Sequence, residues 1–477
     1  MEAVRPINRT EAYSEMPQEE RRAALARERE RHGAFVQRGL GLNMARGKPS
    51  PEQLDLSLPM LDLLSSQGSS EALREGEPDD LRNYGNLAGL SEMRTLMGAI
   101  MSVPAANVLA GGNSSLALMY NLVSMAMTQG VLGSAPWATL AEQPAFLCPV
   151  PGYDRHFALT EHFGIRMIPV PLGETGPDMD VVEGYVSSDP FVKGIWCVPR
   201  FSNPTGVVYS DETVERFARL APAAEDFRIY WDNAYAVHDL MYEDAAGVAG
   251  VPGAEDMKNG MNPADEVDVP VAKGRARSGE AAARLSNLRD ACERAANPDI
   301  WYEFASTSKI TFAGSGVAAL ASSEANIQAI TQTLGFQTIG PDKINQKRHA
   351  LFLPDLAAVQ AHMARHAALL RPKFELVDRV LSEGLTGAGV GSWTKPKGGY
   401  FISFDGPPHT ATRTVELAAQ AGVVLTPAGA TYPYGADPLD ANIRIAPTYP
   451  GLEELETAAE VFVVCARIAA LEQLVES

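Results

Sequence analysis

A chain of 477 residues exceeds one typical core, so a large unit plus a smaller one is the default organisation. With 45% hydrophobic and 21% charged residues, its composition is that of an ordinary soluble globular protein. A formal charge of −19 argues against nucleic acid or an anionic membrane as partner, since both need a basic surface, and any anionic ligand must be held by local charge.

The N-terminus, "MEAVRPINRTEAYSEMPQEE", is too polar for a secretory signal, and no stretch approaches the roughly 20 apolar residues that cross a bilayer. A cytoplasmic enzyme is expected. "EERRAALARERERHGAFVQRG" predicts a charged helix, and "SEMRTLMGAIM" and "SSLALMYNLVSMAM" predict amphipathic ones. Short apolar runs bounded by turn residues follow: "AFLCPV" (145–150), "IRMIPV" (165–170), "GIWCVP" (194–199), "FRIYWD" (227–232), "WYEFAS" (301–306) and "GVAALA" (316–321). Strand-like runs alternating with helices predict an α/β fold with a mainly parallel sheet covered on both faces, whose ligands sit at the carboxyl ends of the strands. Beyond about residue 340 come longer helices, then "GYFISFDG", "GVVLTPAG" and "NIRIAPT", and a last helix "GLEELETAAEVFVVCARIAALEQL", the mark of a smaller α+β domain.

Residues 243–283 fit neither pattern, being rich in Gly, Ala, Pro and acid, and read as disorder, an interface arm or a lid. The four cysteines, Cys148, Cys197, Cys292 and Cys465, are scattered without CxxC or metal spacing, and read as reduced thiols rather than metal ligands.

The chemistry gathers at predicted strand ends. "YWDNAY" ends an apolar run on Asp232, with Tyr235 three residues on; a helix cap would look the same. "SNPTG" puts Asn203 in a turn, where bending the chain is reason enough for it. "GGNSSLALMY" sets Asn113, Ser114 and Ser115 before a helix, a cap and also a ready anion site. Lys309, in "FASTSKITFAGSGVA", follows a strand that should be buried, and removing a lysine from water favours the neutral amine that attacks carbonyls. A pyridine aldehyde bearing a phosphate needs an imine-forming lysine, an acid for its ring nitrogen, a donor for its ring hydroxyl and an anion cradle. Lys309, Asp232, Asn203 or Tyr235, and residues 112–115 supply these in turn.

In order, "YGNLAG", "GGNSS", "PGYDRH", "SNPTG", "WDNAY", "STSK" and "NIRIAP" resemble the fold-type I pyridoxal-phosphate enzymes. Within these the chain is most similar to the aspartate aminotransferases of the divergent bacterial subgroup related to the MocR-type aminotransferase domain. The likeness runs from residue 42 to the C-terminus, interrupted only by 243–283. It implies a large domain (81–345) with a mainly parallel seven-stranded sheet flanked by helices, a small α+β domain (346–477), and an N-terminal helix and segment (1–80) joining the small domain.

The resemblance also implies pyridoxal 5'-phosphate as cofactor, bound as a Schiff base to Lys309, which then moves the substrate proton. Asp232 would pair with the ring nitrogen, Asn203 and Tyr235 would bond the ring hydroxyl, and Tyr153 would stack on the ring. Asn113, Ser114, Ser115, Ser306 and Ser308 would hold the phosphate, with Tyr84 of a second subunit reaching across, which implies a homodimer with shared active sites. Arg444 would grip the substrate α-carboxylate, and Gly47 and Arg46 belong to the segment that closes over it. The arginine that the familiar enzymes carry shortly after their lysine is missing, with Ser315 and Gly316 near its place. Lys343 stands where the neighbouring subunit's distal-carboxylate arginine would be, and is a candidate for carboxylate or phosphate.

The implied reaction moves an amino group from an amino acid, aspartate or glutamate, to a 2-oxo acid. The alternative is a specialised pyridoxal-phosphate enzyme of secondary metabolism performing β/γ-elimination, replacement or carbon–carbon bond formation. A cofactor-binding regulator is disfavoured, because the first 40 residues hold one charged helix and no room for a helix-turn-helix.

Overall fold

The computed structural model describes residues 12–66, 73, 80–241 and 284–476; all of the 243–283 segment singled out in the sequence lies outside them. A short strand β1 (Leu42–Asn43) precedes eight strands that share one sheet: β2 (Val108–Ala110), β3 (Ala145–Val150), β4 (Arg166–Gly173), β5 (Gly176–Pro177), β6 (Val192–Cys197), β7 (Arg228–Asp232), β8 (Trp301–Ser306) and β9 (Ala318–Ser322). Their order is β2-β9-β8-β7-β6-β3-β4-β5. The central strands β4, β3, β6, β7 and β8 pair in parallel, and β9 runs antiparallel between β8 and β2.

Every apolar run of the sequence became a strand of this sheet, because a strand covered on both faces has no reason to alternate. The sheet has eight strands, one more than expected. The additional strand is β5, two residues that fold back antiparallel on β4 through Gly176, whose φ of +128° suits glycine and whose absent Cβ would lie 2.8 Å from Thr213.

A second core gathers around a small antiparallel sheet, β10 (Ser392–Trp393), β11 (Ile402–Asp405) and β13 (Asn442–Ile445). The helices Leu356–Leu385 and Leu452–Glu476 pack against it, and the N-terminal helix Gln18–Gln37 lies on the latter, tied by the Arg467–Glu28 ion pair at 2.8 Å. The chain then crosses as β1, paired in parallel with β12 (Val423–Val424). The N-terminal segment thus reaches the large sheet along the side of the small one.

Among the described residues no helix is long and apolar enough to cross a membrane. All four cysteines are buried and free.

The core of the large sheet depends on a cluster of rings. Phe146 is fully buried and its ring centroid lies 5.2 Å from Tyr230, 5.4 Å from Trp196 and 5.8 Å from Trp137. Phe146→Ala should cost about 3–5 kcal/mol, since packed rings cannot collapse into the space, and urea unfolding should show the lowered midpoint.

Candidate active site

The lysine turn begins where β8 ends. The amides of Ile310 and Thr311 donate to the Thr307 carbonyl at 2.9 and 2.8 Å, and the Thr307 hydroxyl accepts from the Val317 amide at 2.9 Å. Gly316 lets the returning chain close on this turn, since a Cβ there would sit 3.0 Å from the Ser308 nitrogen. Lys309 is thereby held half-buried, its Nζ 5.2 Å from the Tyr235 ring centroid and 5.8 Å from that of Tyr400. Burial pushes its pKa below the ordinary lysine value, against the opposing pull of the Asp232 charge.

Asp232 ends the neighbouring strand β7. Its Oδ2 lies 3.1 Å from His156 Nε2, and its Oδ1 is buried without a hydrogen-bond partner. His156 is itself fixed: it stacks on Trp196 at 4.5 Å, and the Trp196 indole donates to Thr160 at 2.7 Å. A buried carboxylate oxygen with no donor is costly unless a ligand supplies one. The N–H of a pyridinium ring fits that vacancy in the hydrogen bonding. Beside it, burial raises the Tyr153 hydroxyl to about 12 and raises that of Tyr235 well above its usual range, so both act as neutral donors and ring walls.

The anion cradle stands at the ends of β2 and β8. Ser114 caps the helix Ser115–Gln129, its hydroxyl accepting from the Ala117 amide at 3.3 Å, and the remaining first-turn amides stay available to an anion. Ser306 donates to Ser308 at 3.2 Å, and Ser308 to the Asn113 carbonyl at 3.3 Å. The hydroxyls of Ser114, Ser115, Ser306 and Ser308 line the same cavity. Ser315 and Gly316 add nothing here, their carbonyls both accepting from Asn345 at 3.1 Å.

On the other side of the cavity Arg444, on β13, is 6% exposed. Its Nη1 donates to Asp154 at 2.7 Å and to Asn203 at 3.2 Å, and the guanidinium lies over Phe401 at 4.9 Å. Arg46 and Gly47 cross above. A Cβ on Gly47 would lie 2.4 Å from the Phe401 ring, so only glycine lets the chain pass there.

These groups line one cavity of about 560 Å³. Of the residues singled out in the sequence, Lys309, Asp232, Tyr153, Asn203, Tyr235, Ser114, Ser115, Ser306, Ser308, Arg444, Arg46 and Gly47 all face it. Three do not. The Asn113 amide is committed to the Gly314 carbonyl at 3.1 Å. Tyr84 is exposed at 75% away from this cavity. Lys343 is buried, with its ammonium donating to the Tyr84 carbonyl at 3.2 Å. Sequence reasoning missed His156, Asp154 and Arg155. All three follow Tyr153 within "PGYDRH", and the i, i+3 spacing from Tyr153 to His156 was the available signal for the first of them.

A larger cavity, about 650 Å³, lies on the opposite face of the sheet, behind Asp232. There Asn233 Nδ2 donates to Glu303 Oε1 at 2.8 Å, and burial raises the Glu303 carboxyl from 4.5 to about 8. Between those values the unfolded chain releases this proton and the folded chain keeps it, so stability falls by about 1.4 kcal/mol per pH unit as pH rises. Glu303→Gln keeps the acceptor for Asn233 and removes the slope. Unfolding curves should show the variant gaining on the native chain from pH 4.5 to about 8, with little difference at the acid end.

The profile of the aspartate amino-transferase family matches residues 16–261 and 275–477. An aspartate aminotransferase of Corynebacterium glutamicum is 42% identical over 438 residues, 91% of each chain. A relative in Mycolicibacterium smegmatis is 45% identical over 437 residues, 91% of this chain and 92% of its own. The crystal structure of an aspartate transaminase from Corynebacterium glutamicum superposes with a TM-score of 0.86 at 38% identity, covering 98% of this chain and all of that one.

Proposed function

The chain belongs to the aspartate aminotransferase family and is an aminotransferase, and we propose that it moves the amino group of a dicarboxylic amino acid, aspartate or glutamate, to a 2-oxo acid. The observation that carries this reading is one cavity holding a desolvated amine, an unpartnered buried carboxylate oxygen and a buried arginine: Lys309, Asp232 and Arg444.

Pyridoxal 5'-phosphate, when bound, supplies an aldehyde for the amine and a ring that takes up the electrons of the substrate Cα–H bond. Asp232 Oδ1 would accept the ring N–H, and His156 on Oδ2 keeps the carboxylate turned toward it. Asn203 and Tyr235 would donate to the ring hydroxyl, while Tyr153 would cover a ring face. Ser114, Ser115, Ser306 and Ser308 would bond the phosphate through hydroxyls and helix amides, with Asn113 contributing backbone alone. Arg444 would take the α-carboxylate and so aim the Cα proton at Lys309, whose neutral amine would accept and move it.

The active assembly in this reading is a cytoplasmic homodimer. Leu58, Leu61, Phe336 and Ile339 expose large apolar side chains, with Phe336 at 89%, area that water disfavours and a second copy would cover. Tyr84 would reach from this face to the partner's phosphate site, and Lys343 serves it by holding the Tyr84 carbonyl. The four buried, free thiols suit a reducing compartment.

With its cofactor, the protein should show a visible absorbance band that aspartate or glutamate bleaches and 2-oxoglutarate restores, with oxaloacetate formed from aspartate. Lys309→Ala should abolish the exchange. Ammonia release, or no spectral response to either amino acid, would overturn the reading. Phe336→Asp combined with Ile339→Asp should convert a dimer into monomers by light scattering and lower cofactor retention.

A further inference from the structure

Two arginines on the cavity wall, Arg155 and Arg46, are exposed and make no hydrogen bond or ion pair among the described residues. In a chain with a formal charge of −19, unpaired guanidinium groups facing one cavity are not explained by the general surface. Beside Arg155 the opposite holds. Asp154, its side chain 32% exposed, places a carboxylate oxygen 2.7 Å from Nη1 of Arg444, whose side chain is only 7% exposed. The buried guanidinium that faces the lysine is therefore already engaged by a carboxylate of the chain itself.

We propose that Asp154 is an internal carboxylate which the substrate must displace from Arg444, and that Arg155 then receives the substrate's second carboxylate. This rests on the transaminase reading for the identity of the substrate. A monocarboxylic amino acid exchanges one arginine–carboxylate pair for another and gains little. A dicarboxylic one breaks the same pair and forms two, because Arg155 starts unpaired. Consecutive α-carbons are about 3.8 Å apart, so the residue that leaves Arg444 and the residue that takes the second charge share one helical turn. Asp154 and Arg155 together thus select for two carboxylates through a penalty on every ligand and a compensation for one class. Lys343, with its ammonium on a backbone carbonyl, is not required for this discrimination.

Succinate and butyrate test this without turnover, since both lack the amino group. Binding to the cofactor-loaded protein is measured by calorimetry for the native chain, Asp154→Asn, Arg155→Ala and Arg46→Ala. Asp154→Asn should tighten both ligands several-fold. Arg155→Ala should weaken succinate by about tenfold to a hundredfold, the worth of one charged hydrogen-bonded pair, and leave butyrate unchanged. Weaker binding of both ligands to Asp154→Asn would overturn the first half, making Asp154 a residue that merely orients Arg444. Loss of succinate affinity in Arg46→Ala but not Arg155→Ala would overturn the second. So would a fall in cofactor content in Arg155→Ala, which would place that guanidinium on the phosphate. If aspartate and glutamate leave the spectrum of the native protein unchanged while these affinities shift as stated, the donor assignment fails and the carboxylate subsite stands.

Discussion

The pairing of β7 with β8 is the constraint from which the site follows. The two strands run parallel in register, with Asp232 opposite Phe304, so a carboxylate and, just past the strand end at Ser306, the lysine turn emerge side by side at the same edge of the sheet. Both groups resist that placement. Burial favours the neutral amine of Lys309, and among the described residues Asp232 has His156 on one carboxylate oxygen and no hydrogen-bond partner on the other. Local interactions within the chain leave this arrangement incomplete, and a ligand with a ring N–H and a carbon that accepts an amine completes it. Cofactor binding then adds to folding stability by mass action, because the unfolded chain offers no such pair.

Charge placement follows a similar logic on the substrate side. The chain as a whole is strongly acidic, yet Lys309, Arg46, Arg155 and Arg444 all line one cavity. The anion cradle, by contrast, is built from hydroxyls and helix amides. Asp154 pairs with the most buried of the arginines, Arg444, at 2.7 Å. An unpaired guanidinium as deeply buried as Arg444 would otherwise carry a large desolvation cost.

Much of this was legible in the sequence, for a physical reason. Strands of a covered parallel sheet are continuous apolar runs, so "AFLCPV", "GIWCVP", "FRIYWD" and "WYEFAS" declare themselves, and the functional motifs sit just after them because that is where a parallel sheet exposes its strand ends. β2 and β5 escaped notice because three and two residues carry no period. The contacts of Asp154 and His156 were hidden for a different reason. Each meets a partner far along the chain, Arg444 and Asp232, and only the folded topology says which side of the helix Asp154–His162 faces which of them. The additional cation at Arg155 was hidden similarly, since an exposed arginine on a helix has no signature of its own.

The segment that carries Arg46 and Gly47 along the cavity is not a free loop, and the manner of its attachment bears on the lysine. Met44 is bonded on both sides, its amide to Val424 and its carbonyl to the Ala446 amide, so Arg46 and Gly47 project from an edge already fixed. Further on, Gln53 accepts from the Ser50 amide through Oε1 at 3.1 Å, which turns its Nε2 toward His366 Nδ1 and the Tyr400 hydroxyl, each at 3.0 Å. His366 must therefore accept at Nδ1, and His362 beside it donates to the carbonyl of Ile310, the residue after Lys309. With both Nε2 atoms protonated the two rings pack edge to face without bonding each other, and burial lowers His362 to about 4 and His366 to about 3, so both stay uncharged at neutral pH. A protonated pair so near the lysine would depress its affinity for a proton further and make the amine depend on pH twice over. Neutral histidines give the Arg46–Gly47 segment a hydrogen-bonded root at Gln53 while leaving the proton affinity of Lys309 to burial and to Asp232.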